Sequence, residues 1–241
     1  ELRVVLAALT GWGQDLARPV PQGVLESALN AIMASLAQRA TGLDISEAHG
    51  VIQTVRAASI VEQNSANASA LYRSLAAGCL SRLQRQPREA LRGHGESGAV
   101  VPGLEEQDVA ALASLLHHLS IARAGDPELY FRGLMVCAQR LVTPDAATWL
   151  VAARLLAVCG RAGIYEPDML RHLLQMMCQA EAPQGGPQGA AVPGLGLALG
   201  GLAALRVQPP PELLDRVWKI LLAARLAVPA AEAATSFRLD L

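Results

Sequence analysis

Apolar residues recur in this chain on one twelve-residue pattern. In "DPELYFRGLMVC" (126–137) the fourth, fifth, eighth and ninth places hold Leu129, Tyr130, Gly133 and Leu134. From Glu166 the same places hold Met169, Leu170, Leu173 and Leu174; from Pro210 they hold Leu213, Leu214, Val217 and Trp218. Two weaker copies lie upstream. One starts at Pro21, with Val24, Leu25, Ala28 and Leu29, and one at Asn67, with Ala70, Leu71, Ser74 and Leu75. Apolar residues at i, i+1, i+4 and i+5 share one face of a 3.6-residue helix. Acidic, Asn or Pro residues at the first two places are helix-start chemistry, a capping side chain followed by a proline with no N–H to leave unsatisfied. Each copy therefore predicts a helix, here called B.

A second helical stretch, A, precedes each B: residues 2–14, 45–60, 105–125, 145–164 and 194–208. Two of these A stretches end in "RAG" just before an acid-proline pair, a glycine stop ahead of a proline start. The unit is thus A-turn-B, written five times, with B starts 46, 59, 40 and 44 residues apart. The long interval is explained by a loop insertion over 93–104, which contains "GHGESGAVVPG"; a second loop, "APQGGPQGAAVPG" (182–194), lengthens the last interval. Repeats one and two then occupy 1–92, repeats three to five occupy 105–228, and 229–241 is a C-terminal tail. One helix pair cannot bury its apolar stripe alone, whereas stacked pairs share a continuous core. The expected fold is all-α, an α-solenoid of about five stacked antiparallel helix pairs; a compact helical bundle is the alternative.

Composition narrows the picture. Hydrophobic residues make up 52 % of the chain and aromatics 3 %, so the core is built from Leu, Ala and Val. No uncharged apolar run reaches the ~18 residues that span a bilayer, and the Gly-rich "AAVPGLGLALGGLAAL" (190–205) reads as a buried helix. The net charge of −1 supplies no global attraction for nucleic acid or anionic lipid. Within it, nineteen arginines stand against one lysine, Lys219. A GC-rich genome explains such a bias; so does phosphate or carboxylate recognition by planar guanidinium groups. Cys79, Cys137, Cys159 and Cys178 show no paired or metal-ligand spacing; three of them sit on apolar faces of predicted helices and read as small hydrophobes, which suggests a reducing compartment.

Unit length separates the candidate repeat families. Tetratricopeptide and ankyrin units run ~34 and ~33 residues with signatures that do not occur here, whereas units of ~40–47 residues fit. "TWLVAARLLAVCGRAGIYEPDMLRHLLQMM" (148–177) and "VQPPPELLDRVWKILLAARL" (207–226) resemble the degenerate heptatricopeptide/octotricopeptide repeats of the FAST-kinase-like and RAP-associated organellar proteins. The likeness covers 105–226 closely and 1–92 loosely, without a RAP domain. It implies a non-catalytic organellar protein, mitochondrial in the first instance and plastid or cytoplasmic otherwise. Such a protein works in RNA metabolism or as a constituent of the mitochondrial ribosome. Ribosomal or other organellar RNA and neighbouring proteins of a large complex would be its partners.

Function carried by repeats should recur at one place in the unit. The seventh place of helix B holds Ser27, Arg73, Arg132, His172 and Arg216, with Arg171 at the sixth place of its unit. A helical wheel puts these places away from the apolar centre, so Arg73, Arg132, Arg171 and Arg216 are candidate phosphate contacts. Arg82, Arg85, Arg88 and Arg92 form the most basic local patch and are a second candidate RNA contact, although Pro87 interrupts the helix. The plainer readings are exposed helix positions and a solvated helix end. His117 and His118 face different sides of their helix, while His49, His94 and His172 lack spaced partners, so no metal site is expected. Trp149 and Trp218 lie on apolar faces and read as packing. No nucleophile motif, P-loop, dinucleotide turn or HExxH occurs, so neither catalysis, a cofactor nor a small-molecule substrate is expected. The alternative function is a protein-binding scaffold subunit without RNA contact.

Overall fold

The structure, a computed structural model, describes residues 22–57, 66–84, 106–182 and 191–222. All regular elements among these residues are helical. They are α1 (Gln22–Arg39) with a 3-10 turn Ala40–Gly42, α2 (Ile45–Ala57), α3 (Ala66–Leu83), α4 (Glu106–Ile121) and α5 (Pro127–Arg140). After these come α6 (Ala146–Ala162), α7 (Pro167–Gln179), α8 (Ala191–Ala204) and α9 over 211–222. The odd-numbered helices are the B helices of the sequence pattern; α2, α4, α6 and α8 are A helices. The A helix expected over 2–14, the insertion over 93–104 and the tail over 229–241 lie outside the described residues. The loop expected over 182–194 ends sooner, because α8 already begins at Ala191.

Helix starts follow local chemistry. Asp145 caps α6 by accepting the Thr148 N–H at 2.7 Å, and such backbone bonds hold its carboxyl below the usual range. Asp126 does the same for Leu129 at 2.8 Å. Asp44 and Glu47 form a reciprocal capping box at the start of α2, each side chain accepting the other's backbone N–H. Glu166 makes no capping bond, and α7 relies on Pro167 in its first turn.

Helix ends carry a less obvious regularity. α4, α6 and α8 each close on a left-handed residue, respectively Arg123 (φ 52°), Gly163 (φ 66°) and Arg206 (φ 56°). The following N–H in each case reaches back to the last turn: Ala124 to Leu119 O, Ile164 to Cys159 O and Val207 to Leu202 O, at 2.9–3.0 Å. The two "RAG" triplets therefore end their helices differently, one through Arg123 and the other through Gly163. A side chain in this region costs about 1–2 kcal/mol.

The chain divides into two compact units, one up to Gly133 and the other from Leu134, the division falling within α5. Inside each unit, helices two apart in the chain pack together: α1 on α3 and α2 on α4 in the first, α6 on α8 in the second. Neighbours also touch, α2 with α3 and α6 with α7. The second-neighbour pairs run parallel. Trp149, early in α6, meets Gly194, early in α8, and Gly160 near the end of α6 meets Gly201. In the first unit Gly78 on α3 sits against Ala40 and Thr41, and Arg82 one turn later reaches Gly42.

These approaches need glycine. A Cβ on Gly160 would lie 2.6 Å from the Gly201 Cα, and one on Gly201 would strike the Leu156 carbonyl oxygen. The Gly-rich stretch is helical but buried along one face only, through Ala191, Gly194, Leu195, Ala198, Gly201 and Leu202, with Pro193, Gly196, Gly200, Ala203 and Ala204 exposed. Trp149 fills the space that Gly194 opens and is fully buried. Two glycines of α8 thus predict opposite outcomes. Gly201→Ala overpacks a backbone contact and lowers stability by about 1–3 kcal/mol. Gly196→Ala, whose Cβ meets nothing within 4 Å, raises stability by about 0.5–1 kcal/mol through helix propensity. Urea unfolding of both variants checks the contrast.

Candidate functional site

The seventh place of helix B splits into two environments. Ser27 and Arg73 are exposed. Arg132 keeps 11 % of its side-chain surface and pairs with Glu128 at 2.6 Å. His172 on α7 donates its Nε2–H to the Leu141 carbonyl oxygen just past α5, at 2.9 Å. Arg216 on α9 donates to the Met177 and Ala180 carbonyl oxygens at the end of α7. The last carbonyls of a helix have no partners within it, and a cation there also meets the negative end of the helix dipole. His172 and Arg216 are therefore staples from one B helix to the end of the preceding one.

Arg171, at the sixth place, points outwards with 75 % of its side chain exposed and pairs with Asp168 at 2.9 Å, a surface contact worth little. Arg73 has neither an ion-pair nor a hydrogen-bond partner among the described residues. Of the four arginines in the ladder, Arg73 and Arg171 present their charge to solvent while Arg132 and Arg216 direct theirs into the fold. In the second candidate patch, Arg82 donates to the Gly42 carbonyl oxygen at 2.8 Å, the closing turn of α1, with its Nε buried and unpartnered among the described residues. Arg85, Arg88 and Arg92 lie outside the described residues.

A polar seam between α2 and α4 is not anticipated by the sequence pattern. His49 Nε2 lies 3.0 Å from the Ser114 hydroxyl, and the Gln53 amide lies 3.1 Å from His49 and 3.2 Å from His118 Nε2. Arg56 approaches His118 Nδ1 at 2.8 Å. Arginine only donates, so His118 accepts from Arg56, while the Gln53 amide nitrogen faces both rings and donates to the Ser114 hydroxyl at 3.4 Å. His117 and His118 are both buried, their rings 5.5 Å apart. A signal for the seam exists in the sequence: His49, Gln53 and Arg56 on one A helix and Ser114 and His118 on the next recur at helical spacing, a polar stripe facing a polar stripe. Although Ser114 and His49 contact each other as a nucleophile and base would, Ser114 is 2 % exposed, too little for a substrate carbonyl to reach.

Other chemistry is muted. Burial pushes the Cys79 and Cys159 thiols up to about 12, so both stay protonated and unreactive. Cys137 is buried and Cys178 half-buried, and none of the four forms a disulfide. Among the described residues no group of three or more His, Cys, Asp or Glu could hold a metal ion, and no helix is long and apolar enough to cross a membrane. A cleft of about 200 Å³ between α6 and α8 is lined by Ala157, Leu197, Gly196, Gly200, Gly201 and Ala204, with Arg161 as its charged group. Trp218, expected to pack, is 73 % exposed, and Leu214, Leu221 and Leu222 share its exposure on α9. The wheel identifies an apolar face but does not show whether anything covers it.

Comparison with protein families, curated proteins and solved structures finds no match. Architecture defines the class: an all-α protein in which second-neighbour helices pack in parallel.

Two outcomes test this assignment of roles. Arg216→Met lowers stability by about 1–3 kcal/mol through the orphaned carbonyls, whereas Arg171→Gln changes it by less than about 0.5 kcal/mol; denaturant titration reads both. A thiol reagent labels Cys178 first in the native protein, and reaches Cys79, Cys137 and Cys159 only on unfolding, as mass mapping of the adducts shows.

Proposed function

We propose that these helix pairs belong to one α-solenoid of about five A–B units, a non-catalytic organellar protein that contacts RNA. Its setting is mitochondrial RNA metabolism or the mitochondrial ribosome. The observation that carries this reading is the parallel packing of second-neighbour helices, A on A in both units (α2 on α4, α6 on α8) and B on B in the first (α1 on α3). Stacked helix pairs pack in this way, and they set equivalent side chains at regular intervals. The resemblance of 105–226 to organellar RNA-associated repeats supplies the partner, and fold by itself would not.

Within this reading the phosphate contacts are Arg73 and Arg171, whose guanidinium groups are exposed. Arg132 and Arg216 act in the fold, and Arg82 ties α3 to the end of α1. Guanidinium groups bind phosphodiesters through charge-assisted bonds without reading sequence. A second reading, a scaffold that grips a protein neighbour, is favoured by the exposed face of Leu214, Trp218, Leu221 and Leu222.

Salt dependence separates the two. On the RNA reading, affinity for a labelled single-stranded oligouridine falls steeply as salt rises, with log K changing by about −0.7 per neutralised phosphate. Replacing both Arg73 and Arg171 by Gln makes that slope shallower by about one to two units at unchanged stability. Salt-insensitive association with a protein partner, abolished by Trp218→Ala, decides for the scaffold.

A further inference from the structure

Arg123 and Arg206 occupy the one place in their turns where an arginine side chain is least at home. Both have positive φ, both are exposed, and both close an A helix with the same back-reaching bond. The equivalent turn after α6 meets the same backbone demand with Gly163. Glycine is thus acceptable to this turn, and two of the three such turns among the described residues hold arginine instead. A helix-dipole explanation falls short. A cation near a helix C-terminus serves that purpose from the last helical turn, as Arg140 and Arg161 are placed to do, where φ is ordinary. Their backbone N–H groups donate to the Ser120 and Ala203 carbonyl oxygens, and neither guanidinium has an ion-pair or hydrogen-bond partner among the described residues. The neighbouring Asp126 carboxylate is engaged in capping Leu129. Residues held in sparsely populated conformations persist only where the surrounding structure over-determines them, and they cluster at functional sites.

We propose that the A–B turn of each of these repeats is a phosphate-contact point, supplied by Arg123 after α4 and Arg206 after α8, with RNA phosphodiester as the ligand. This inference rests on the RNA reading above and extends it from the B helices to the turns. The turn holds the Cα rigidly through its back-reaching bond, while the long side chain reaches away from the helix end. Each turn contributes one guanidinium and therefore one phosphate.

The test is the double variant Arg123→Gly/Arg206→Gly. It removes both charges while relieving the backbone, so stability and binding should move in opposite directions. The thermal midpoint rises, and affinity for oligouridine at moderate salt falls by about tenfold, with a salt slope shallower by about 1.4 because two phosphates of a single strand are no longer neutralised. A variant with a raised midpoint but wild-type affinity and slope overturns the inference and leaves the wider RNA reading standing. Oligouridine that fails to bind the wild-type protein removes both. Should the glycine variant lose its fold, Arg123→Asn/Arg206→Asn, which also tolerates the left-handed turn, must give the same loss of affinity and slope; retained binding there overturns the inference equally.

Discussion

With aromatics at 3 % of its residues, the chain closes its core by bringing helix backbones close together. At the α6–α8 crossing, Gly160 and Gly201 meet backbone to backbone, and Trp149 takes the one large space that Gly194 leaves. Gly78 does the equivalent at the end of α1 in the first unit. This constraint determines much else. In this close packing the C-terminal carbonyls of one helix come within reach of side chains on another. Unpaired carbonyls in a half-buried place are unfavourable, and the chain meets them with Arg82, His172 and Arg216.

The arginine excess therefore has two physical roles. A guanidinium offers five donors and a permanent charge, so it can close a helix end within the protein or hold a phosphate outside it. Burial and partners separate the two. Arg132 and Arg216 face inwards and Arg73 and Arg171 outwards, so the proposed phosphate contacts are these two and the turn arginines Arg123 and Arg206, not a ladder of four. The polar seam of His49, Gln53, Ser114 and His118 is a different device. It joins two A helices through directional bonds, which fix register more tightly than an aliphatic contact does.

Helix identity was largely legible in the sequence, because capping residues and prolines mark where helices begin. The copies written from Asp126, Glu166 and Pro210 start helices at Pro127, Pro167 and 211, and the A stretch over 45–60 begins its helix at Ile45 under an Asp44–Glu47 box. Pairwise facts were harder to read. The seventh place lies at the flank of the apolar stripe, so a single wheel cannot tell exposed Arg73 from committed Arg216; the adjacent helix decides. His49 and Ser114 are far apart in sequence and meet only because α2 packs on α4. The two identical "RAG" triplets end their helices at different residues, since the last turn of α4 closes earlier than that of α6. Trp218 has an apolar pattern around it and is nonetheless exposed.

The most direct measurement of the central claim is gradient sedimentation of native extract, with and without ribonuclease, followed by mapping of RNA crosslinks on this chain. The predicted result is migration with a ribonucleoprotein particle, a shift to lighter fractions after ribonuclease, and crosslinks near Arg73 and Arg171 but not Arg132 or Arg216. Migration in a ribonuclease-insensitive protein complex, with no RNA crosslinked to the chain, would contradict it.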